Sequence, residues 1–189
     1  MSAQDSKLFV ISGPSGAGKG TLVTRVRERR SNLGLTVSAT TRAPRKGEVD
    51  GANYFFLTRE EFDRRVANGE FVEWAEVHGN CYGTLVSEVT SKLASGSSLI
   101  LEIDVQGALQ VKERFPEAVL IFIKPPSLEV LRERLVGRGT ETPETIELRM
   151  ANAADELALA DRYDEVVVND DLDRATDELV RVLDMHERI

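Results

Sequence analysis

The chain has 189 residues, with 32 acidic side chains against 24 basic ones and a formal net charge of −8. That length suits one domain with a buried core, and 41% hydrophobic with 30% charged residues excludes a disordered chain. The acidic balance argues against non-specific nucleic-acid binding, the longest apolar run (Ala118 to Ile123) is too short for a membrane helix, and the single cysteine, Cys81, excludes an internal disulfide.

The start, Met1-Ser2-Ala3-Gln4-Asp5, lacks the features of a secretory signal, so a cytoplasmic protein is expected. Lys7 to Ser12 is a short apolar run that reads as a buried strand, followed by a glycine-rich turn and helical residues from Lys19 to Arg30. From Val37 to about Ser87 the rhythm breaks into short β-like pieces with glycines and a concentration of polar and aromatic residues. Strand-like Ser98 to Ile103 leads to a helical Val105 to Arg114, and strand-like Ala118 to Ile123 is stopped by Pro125-Pro126. Ser127 caps a helix to about Gly137. Thr142-Pro143-Glu144 starts another to about Asp161, and Asp171 caps a last helix to about Arg188, after strand-like Glu165 to Val168. Strands alternating with helices predict a parallel sheet covered on both faces. The stretches 37–87 and 132–149 read as insertions able to move on that core; the second carries Arg132, Arg134, Arg138 and Arg149.

Gly13-Pro14-Ser15-Gly16-Ala17-Gly18-Lys19-Gly20-Thr21 lies between the first strand and first helix. Glycines there allow backbone N–H groups to cradle a polyphosphate at a helix N-terminus, and Lys19 reaches the β- and γ-phosphates. The position after Lys19 is Gly20, so the hydroxyl that usually meets Mg²⁺ is missing, although Thr21 follows. Glu102 and Asp104 alternate at the end of an apolar strand, which puts them on one face where open α/β sheets bind ligands. One of them is positioned to hold Mg²⁺, directly or through water. Arg42 and Arg45 flank Pro44, so two guanidinium forks are held together for a monophosphate dianion, with the Ser38 and Tyr54 hydroxyls as further donors. Glu73, Tyr82 and Thr84 supply a carboxylate, a phenol and a hydroxyl downstream.

At this point the chain closely resembles the guanylate kinase family, enzymes that transfer a phosphoryl group from ATP to GMP. The motifs carrying the resemblance are Gly13 to Thr21, Ser38 to Arg45, Gly47 to Tyr54, Phe71 to Trp74, Tyr82-Gly83-Thr84, Leu101 to Gly107, Gly137 to Thr142 and Val168-Asn169-Asp170. They fall in the family's order across roughly residues 7–185. The resemblance implies a phosphate-loop parallel sheet flanked by helices, with an inserted small mixed α/β GMP-binding subdomain and a short lid. The core is then about 7–36, 88–130 and 156–189, the subdomain about 37–87 and the lid about 131–155. ATP would lie on Gly13 to Thr21 with Asn169 nearby; Ser38, Arg42, Arg45, Tyr54 and Tyr82 would surround the GMP phosphate. Glu73 and Thr84 would face guanine, completed by Glu102 or Asp104. Lys19, Arg42, Arg138 and Arg149 would act in catalysis, and Thr21 and Asp104 would hold Mg²⁺ through waters. GMP, with dGMP as a further acceptor, would be phosphorylated by direct in-line transfer, and no nucleic-acid or membrane partner is implied. Two departures stand out: Gly20 where many members carry Ser, and Glu102 where Asp is common.

The carboxylate has its own rationale. Guanine presents N1–H and N2–H₂ as adjacent donors, whereas adenine offers no donor at N1, so a buried carboxylate rejects it by roughly 10⁴-fold or more. The acceptor is a phosphate oxygen with a second pKa of about 6, so no protein base is needed. Blander roles are expected elsewhere: Trp74 as subdomain core, His78 and His186 as solvated or structural groups, and Cys81 as a packing residue. Arg132 and Arg134 suit ion pairs with Glu129 and Glu133 as well as substrate contact. Asn169-Asp170-Asp171 ends a strand near adenine or caps the last helix. Competing functions are an AMP or dTMP kinase, which Glu73 argues against, and a silent binding module, which the intact Lys19, Arg42 and Arg45 argue against. A GTPase is the third, and no Asn-Lys-x-Asp segment is present.

Overall fold

The run Leu8–Ser12 forms strand β1 and is buried along its whole length. The computed structural model, which describes residues 6–77, 79–137, 139 and 142–187, shows why both faces had to be apolar. β1 is the middle strand of a five-stranded parallel sheet, order β2-β7-β1-β8-β9, with β2 at Gly34–Leu35, β7 at Leu99–Glu102, β8 at Val119–Lys124 and β9 at Glu165–Val168. Phe9 and Ile11 point to one layer with Ile100, Ile121 and Ile123, while Leu8 and Val10 point to the other with Leu99, Leu101, Leu120 and Phe122. Helices α1 (Lys19–Arg29) and α7 (Leu172–Glu187) cover the first layer through Leu22, Val26, Leu179 and Leu183. Helices α3 (Val86–Ala94) and α4 (Val105–Arg114) cover the second through Val89, Ala108 and Val111. Each fully buried Leu, Ile or Phe of these layers contributes about 1.5–3 kcal/mol, which makes the sheet the rigid part of the molecule.

Residues 37–87 build a second, mixed sheet, order β4-β3-β6-β5, from Ala39–Thr40 (β3), Phe55–Phe56 (β4), Phe71–Val77 (β5) and Asn80–Leu85 (β6). Its own core is small: Ala39, Phe62, Phe71, Cys81 and Leu85, with the Phe62 and Phe71 rings stacked at 4.3 Å. Phe62 comes from helix α2 (Arg59–Ala67), capped by Thr58, whose hydroxyl accepts from Glu61 N at 3.1 Å. This helix supplies the α part of the mixed α/β insertion, which the reading of the residues alone did not locate among the short β-like pieces. Its sequence is mostly charged, so Phe62 and Val66 alone mark the inner face.

Helices α5 (Leu128–Gly137) and α6 (Pro143–Leu157) form a third unit, packed on each other through Leu131, Leu135, Ile146 and Ala153. The expected caps form: Val130 N donates to Ser127 Oγ at 3.2 Å, Thr145 N to Thr142 Oγ1 at 3.3 Å and Arg174 N to Asp171 Oδ1 at 2.9 Å. α6 ends at Leu157 rather than Asp161, and a 3₁₀ turn, Ala160–Arg162, finishes the connection to β9.

Candidate active site

The C-terminal end of β1 lies between β7 and β8, where chain crossovers leave in opposite directions, and it feeds the glycine-rich loop into α1. Gly18 is the N-cap of α1 with φ 90°, and a Cβ there would stand 2.4 Å from Asn169 Nδ2. A Cβ on Gly13 would stand 2.3 Å from the Ile123 carbonyl oxygen, so the loop is pressed onto β8 as closely as backbone allows. The amide of Asn169 is buried and donates to Ala17 O at 2.8 Å, which buttresses the loop from behind. Lys19 folds back over the loop, its Nζ donating to Gly13 O at 2.6 Å and Pro14 O at 3.1 Å. Arg149 reaches across from α6 and donates to Ser15 Oγ.

A cleft of about 340 Å³ opens in front of this loop, lined by Ser15, Lys19, Gly20, Thr21 and Glu102. Gly20 takes the first helical turn next to Glu102: a Cβ on residue 20 would stand 3.5 and 3.7 Å from the two carboxylate oxygens. Glu102 is open to the cleft, yet surrounding protein raises its pKa above the usual carboxylate range, and Lys19 opposes that shift. Glu102 and Asp104, expected side by side, therefore serve different neighbourhoods. Asp104 accepts Gly107 N–H at 2.7 Å as the N-cap of α4, and a Cβ on Gly107 would lie 3.5 Å from its Oδ1 and 3.4 Å from Glu73 Oε2. The carboxylate beside the phosphate loop is Glu102, and the one beside Glu73 is Asp104. Of the two carboxylates the sequence leaves open for guanine, Asp104 is the one beside Glu73, while Glu102, rather than Asp104, faces the loop where the cation is expected.

Glu73 lies on β5, opposite Thr84 on β6, just after a break in the strand register. It is 9% exposed, and burial raises its pKa to about 7; Asp104 adds to the rise and Thr84 partly offsets it. The Thr84 hydroxyl is itself buried and lies beside the Glu73 carboxylate, which it helps to keep ionised. A buried carboxylate, an exposed one and a buried hydroxyl thus sit together. Nearer the surface, the Arg42 guanidinium stacks over Tyr54, 5.4 Å from the ring centroid, and Tyr54 meets Tyr82 edge-on at 6.2 Å. Arg45 is exposed, Ser38 is half-buried, and Ser38 O accepts Phe55 N–H at 2.9 Å to tie β4 to the loop.

The guanylate kinase family model matches residues 5–186. The chain belongs to the guanylate kinase family. It is 57% identical over 178 residues to a guanylate kinase of Gloeobacter violaceus, covering 94% of this chain and 87% of that one. It is 51% identical over 183 residues to a guanylate kinase of Halalkalibacterium halodurans, covering 97% and 90% respectively. Among solved structures, a crystal structure of guanylate kinase from Anaplasma phagocytophilum superposes with a TM-score of 0.73 at 38% identity, covering 96% of this chain and 86% of that one. A member of this family is a phosphotransferase, and the parallel sheet with its small mixed companion sheet is the family architecture.

Two further residues lie beside the loop: Arg134, for which the sequence leaves ion pairing and substrate contact open, and Glu156. Arg134 donates from Nη2 to Asn169 O at 2.8 Å rather than to Glu129 or Glu133, and its Nη1 is buried without a partner among the described residues. It lines a cavity of about 470 Å³ with Gly16, Gly18, Thr21 and Asp170, on the other side of the loop from Glu102. Glu156 of α6 feels both Lys19 and Asp104, and burial raises its pKa. A half-buried arginine on a helix that also carries exposed ones leaves no distinguishing sequence signal. Arg132 does pair, with Glu147 of α6, at 2.9 Å from Nη2. Arg138, expected in the lid, and His78 lie outside the described residues. Trp74 is 42% exposed and touches Phe62 edge-on at 6.3 Å, so it borders the small core rather than filling it.

Proposed function

We propose that this chain performs its family's reaction, transferring the γ-phosphoryl group of ATP to the phosphate of GMP or dGMP to give ADP and GDP or dGDP. The observation that carries this reading is the buried Glu73 with Thr84 and Asp104, set apart from the phosphate loop. An ionised Glu73 accepts guanine N1–H and N2–H together, and the buried Thr84 hydroxyl lines the same pocket. Arg42, Arg45, Tyr54, Tyr82 and Ser38 receive the monophosphate, and the loop from Gly13 to Thr21 receives the triphosphate. The cavity beside Arg134 and Asn169 suits the adenosine end of ATP.

The donor set at the loop fits a hard divalent cation: a cleft-facing carboxylate, Glu102, and a hydroxyl, Thr21, beside a lysine. Mg²⁺ bound there with ATP would supply charge neutralisation at the β- and γ-phosphates. The side chains do the rest. Lys19 leaves the loop carbonyls for phosphate oxygens, and Arg149, already at Ser15, neutralises charge on the transferring group together with Arg138. The acceptor oxygen is mostly ionised at pH 7, so no residue has to remove a proton. Residues 37–87 and 131–155 move as GMP-binding subdomain and lid against the sheet, excluding water as they close. No helix among the described residues is long and apolar enough to cross a membrane, and two soluble nucleotides as substrates suit the cytoplasm.

Initial rates measured with ATP and GMP varied together test this reading. Intersecting double-reciprocal lines, with neither nucleotide competing against the other, are expected; mutual competition for one pocket would overturn it.

A further inference from the structure

Arg42 is held more firmly than a waiting phosphate contact requires. Its Nη2 and Nη1 donate to Glu48 Oε1 and Oε2 at 2.8 and 3.0 Å, a bidentate pair, and Nη1 also donates to Ala43 O at 2.7 Å. Tyr54 and Phe56 lie under the guanidinium, 5.4 and 5.9 Å from Cζ to the ring centroids. The same Glu48 Oε2 accepts the backbone N–H of Arg45 at 2.6 Å. One carboxylate therefore grips both arginine positions of the motif, and the Arg42 and Glu48 side chains are only 15% and 19% exposed.

We propose that Glu48 is a positioning residue for the acceptor phosphate. It holds the Arg42 guanidinium by its end and the Arg45 backbone by its amide, so that the Nε–Nη2 edge of Arg42 and the side chain of Arg45 face the phosphate. A carboxylate that merely competed with phosphate would have to leave two donors at once, and the Arg45 amide is fixed in the chain and cannot follow the ligand. A shared arrangement needs no such break: an arginine presents five N–H donors, of which Glu48 engages the two at the fork's end. The rotamer freedom of Arg42 is then lost on folding rather than on binding, which favours capture of the monophosphate. Nothing in this arrangement touches the phosphate loop, so its effect belongs to the acceptor alone.

The inference rests on Arg42 contacting the GMP phosphate, and its test separates the two ideas. GMP binding to wild type, E48A, E48Q, R42A and R42A/E48A is measured by calorimetry, with KM for GMP and for ATP from steady-state rates. E48A is expected to weaken GMP binding about tenfold or more while the KM for ATP stays within about twofold, with E48Q between E48A and wild type. Adding E48A to R42A is expected to weaken GMP binding no further, because Glu48 acts through Arg42. GMP affinity unchanged or improved in both E48A and E48Q would overturn the inference. So would a full E48A loss on top of R42A, or a parallel rise in both KM values with a lowered melting temperature in both variants. A wild-type protein that binds GMP no better than AMP would instead defeat the underlying reading of the site.

Discussion

At Glu73 the cost of burying a carboxylate and the use made of it coincide. Its pKa is pushed to about 7, mainly by burial and then by Asp104, so near neutrality the empty pocket holds it partly protonated. In the proposed function guanine pairs with the ionised form, so binding would release a proton at pH values below about 7. The KM for GMP is expected to fall as pH rises from about 6 to 8, and this dependence is expected to flatten in E73Q, with discrimination against AMP reduced by orders of magnitude. The phosphate of GMP titrates in both proteins, so the difference between their pH profiles isolates Glu73. Stability follows the opposite sign: a carboxyl whose folded pKa is raised favours folding below its unfolded pKa and loses that advantage as pH rises towards about 7. Urea unfolding across this range is expected to show stability declining with pH in wild type and a shallower decline in E73Q. Glu102 offers a second residue-scale test: E102Q is expected to raise the Mg²⁺ needed for half-maximal ADP binding, followed calorimetrically, by about tenfold or more. The family resemblance points to Glu73, and the adjacent donors of guanine give its carboxylate a reason. Nothing in the sequence singles out Glu48, since an ion pair six residues apart carries no spacing signature, and nothing there decides between ion pairing and substrate contact for Arg134.

Elements were legible where a single physical demand governed them. Strands buried on both faces appear as unbroken apolar runs, and Ser127, Thr142 and Asp171 cap the helices that follow them. Helix α2 was not legible, because a small core asks only Phe62 and Val66 of it and the rest of its sequence is charged. The division of labour between Glu102 and Asp104 was hidden for a different reason: β7 ends at Glu102, so strand alternation no longer governs Asp104, which turns to cap α4. The α5–α6 pair shows what a thin element can be asked to do. Its core is Leu131, Leu135, Ile146 and Ala153, and a Cβ on Gly16 would stand 2.9 Å from Leu131 Cδ1, so the pair leans directly on the phosphate loop. Leu131→Ala is expected to cost about 2–5 kcal/mol within this unit. Hydrogen exchange in 128–157 is then expected to accelerate far more than in β1 or β8, with turnover lowered. Uniform acceleration through the sheet would show that the pair is not a separate unit.

Across the whole molecule, a rigid parallel sheet carries two smaller units, each with only a handful of buried apolar residues. That asymmetry suits motion: interfaces that bury little can open at little cost, while the phosphate loop remains fixed to β1, β8 and Asn169. X-ray scattering is expected to show a smaller radius of gyration with ADP and GMP bound together than with either alone. In the proposed function, phosphate chemistry belongs to the part fixed to the sheet and guanine selection to the small mixed sheet, and the chain must couple the two. The most direct measurement is ADP formation from ATP and Mg²⁺ with GMP, AMP, UMP and dTMP supplied in parallel. GMP is expected to be the preferred acceptor, by roughly 10⁴-fold or more over AMP. Equal rates with all four monophosphates, or no GDP from GMP, would contradict it.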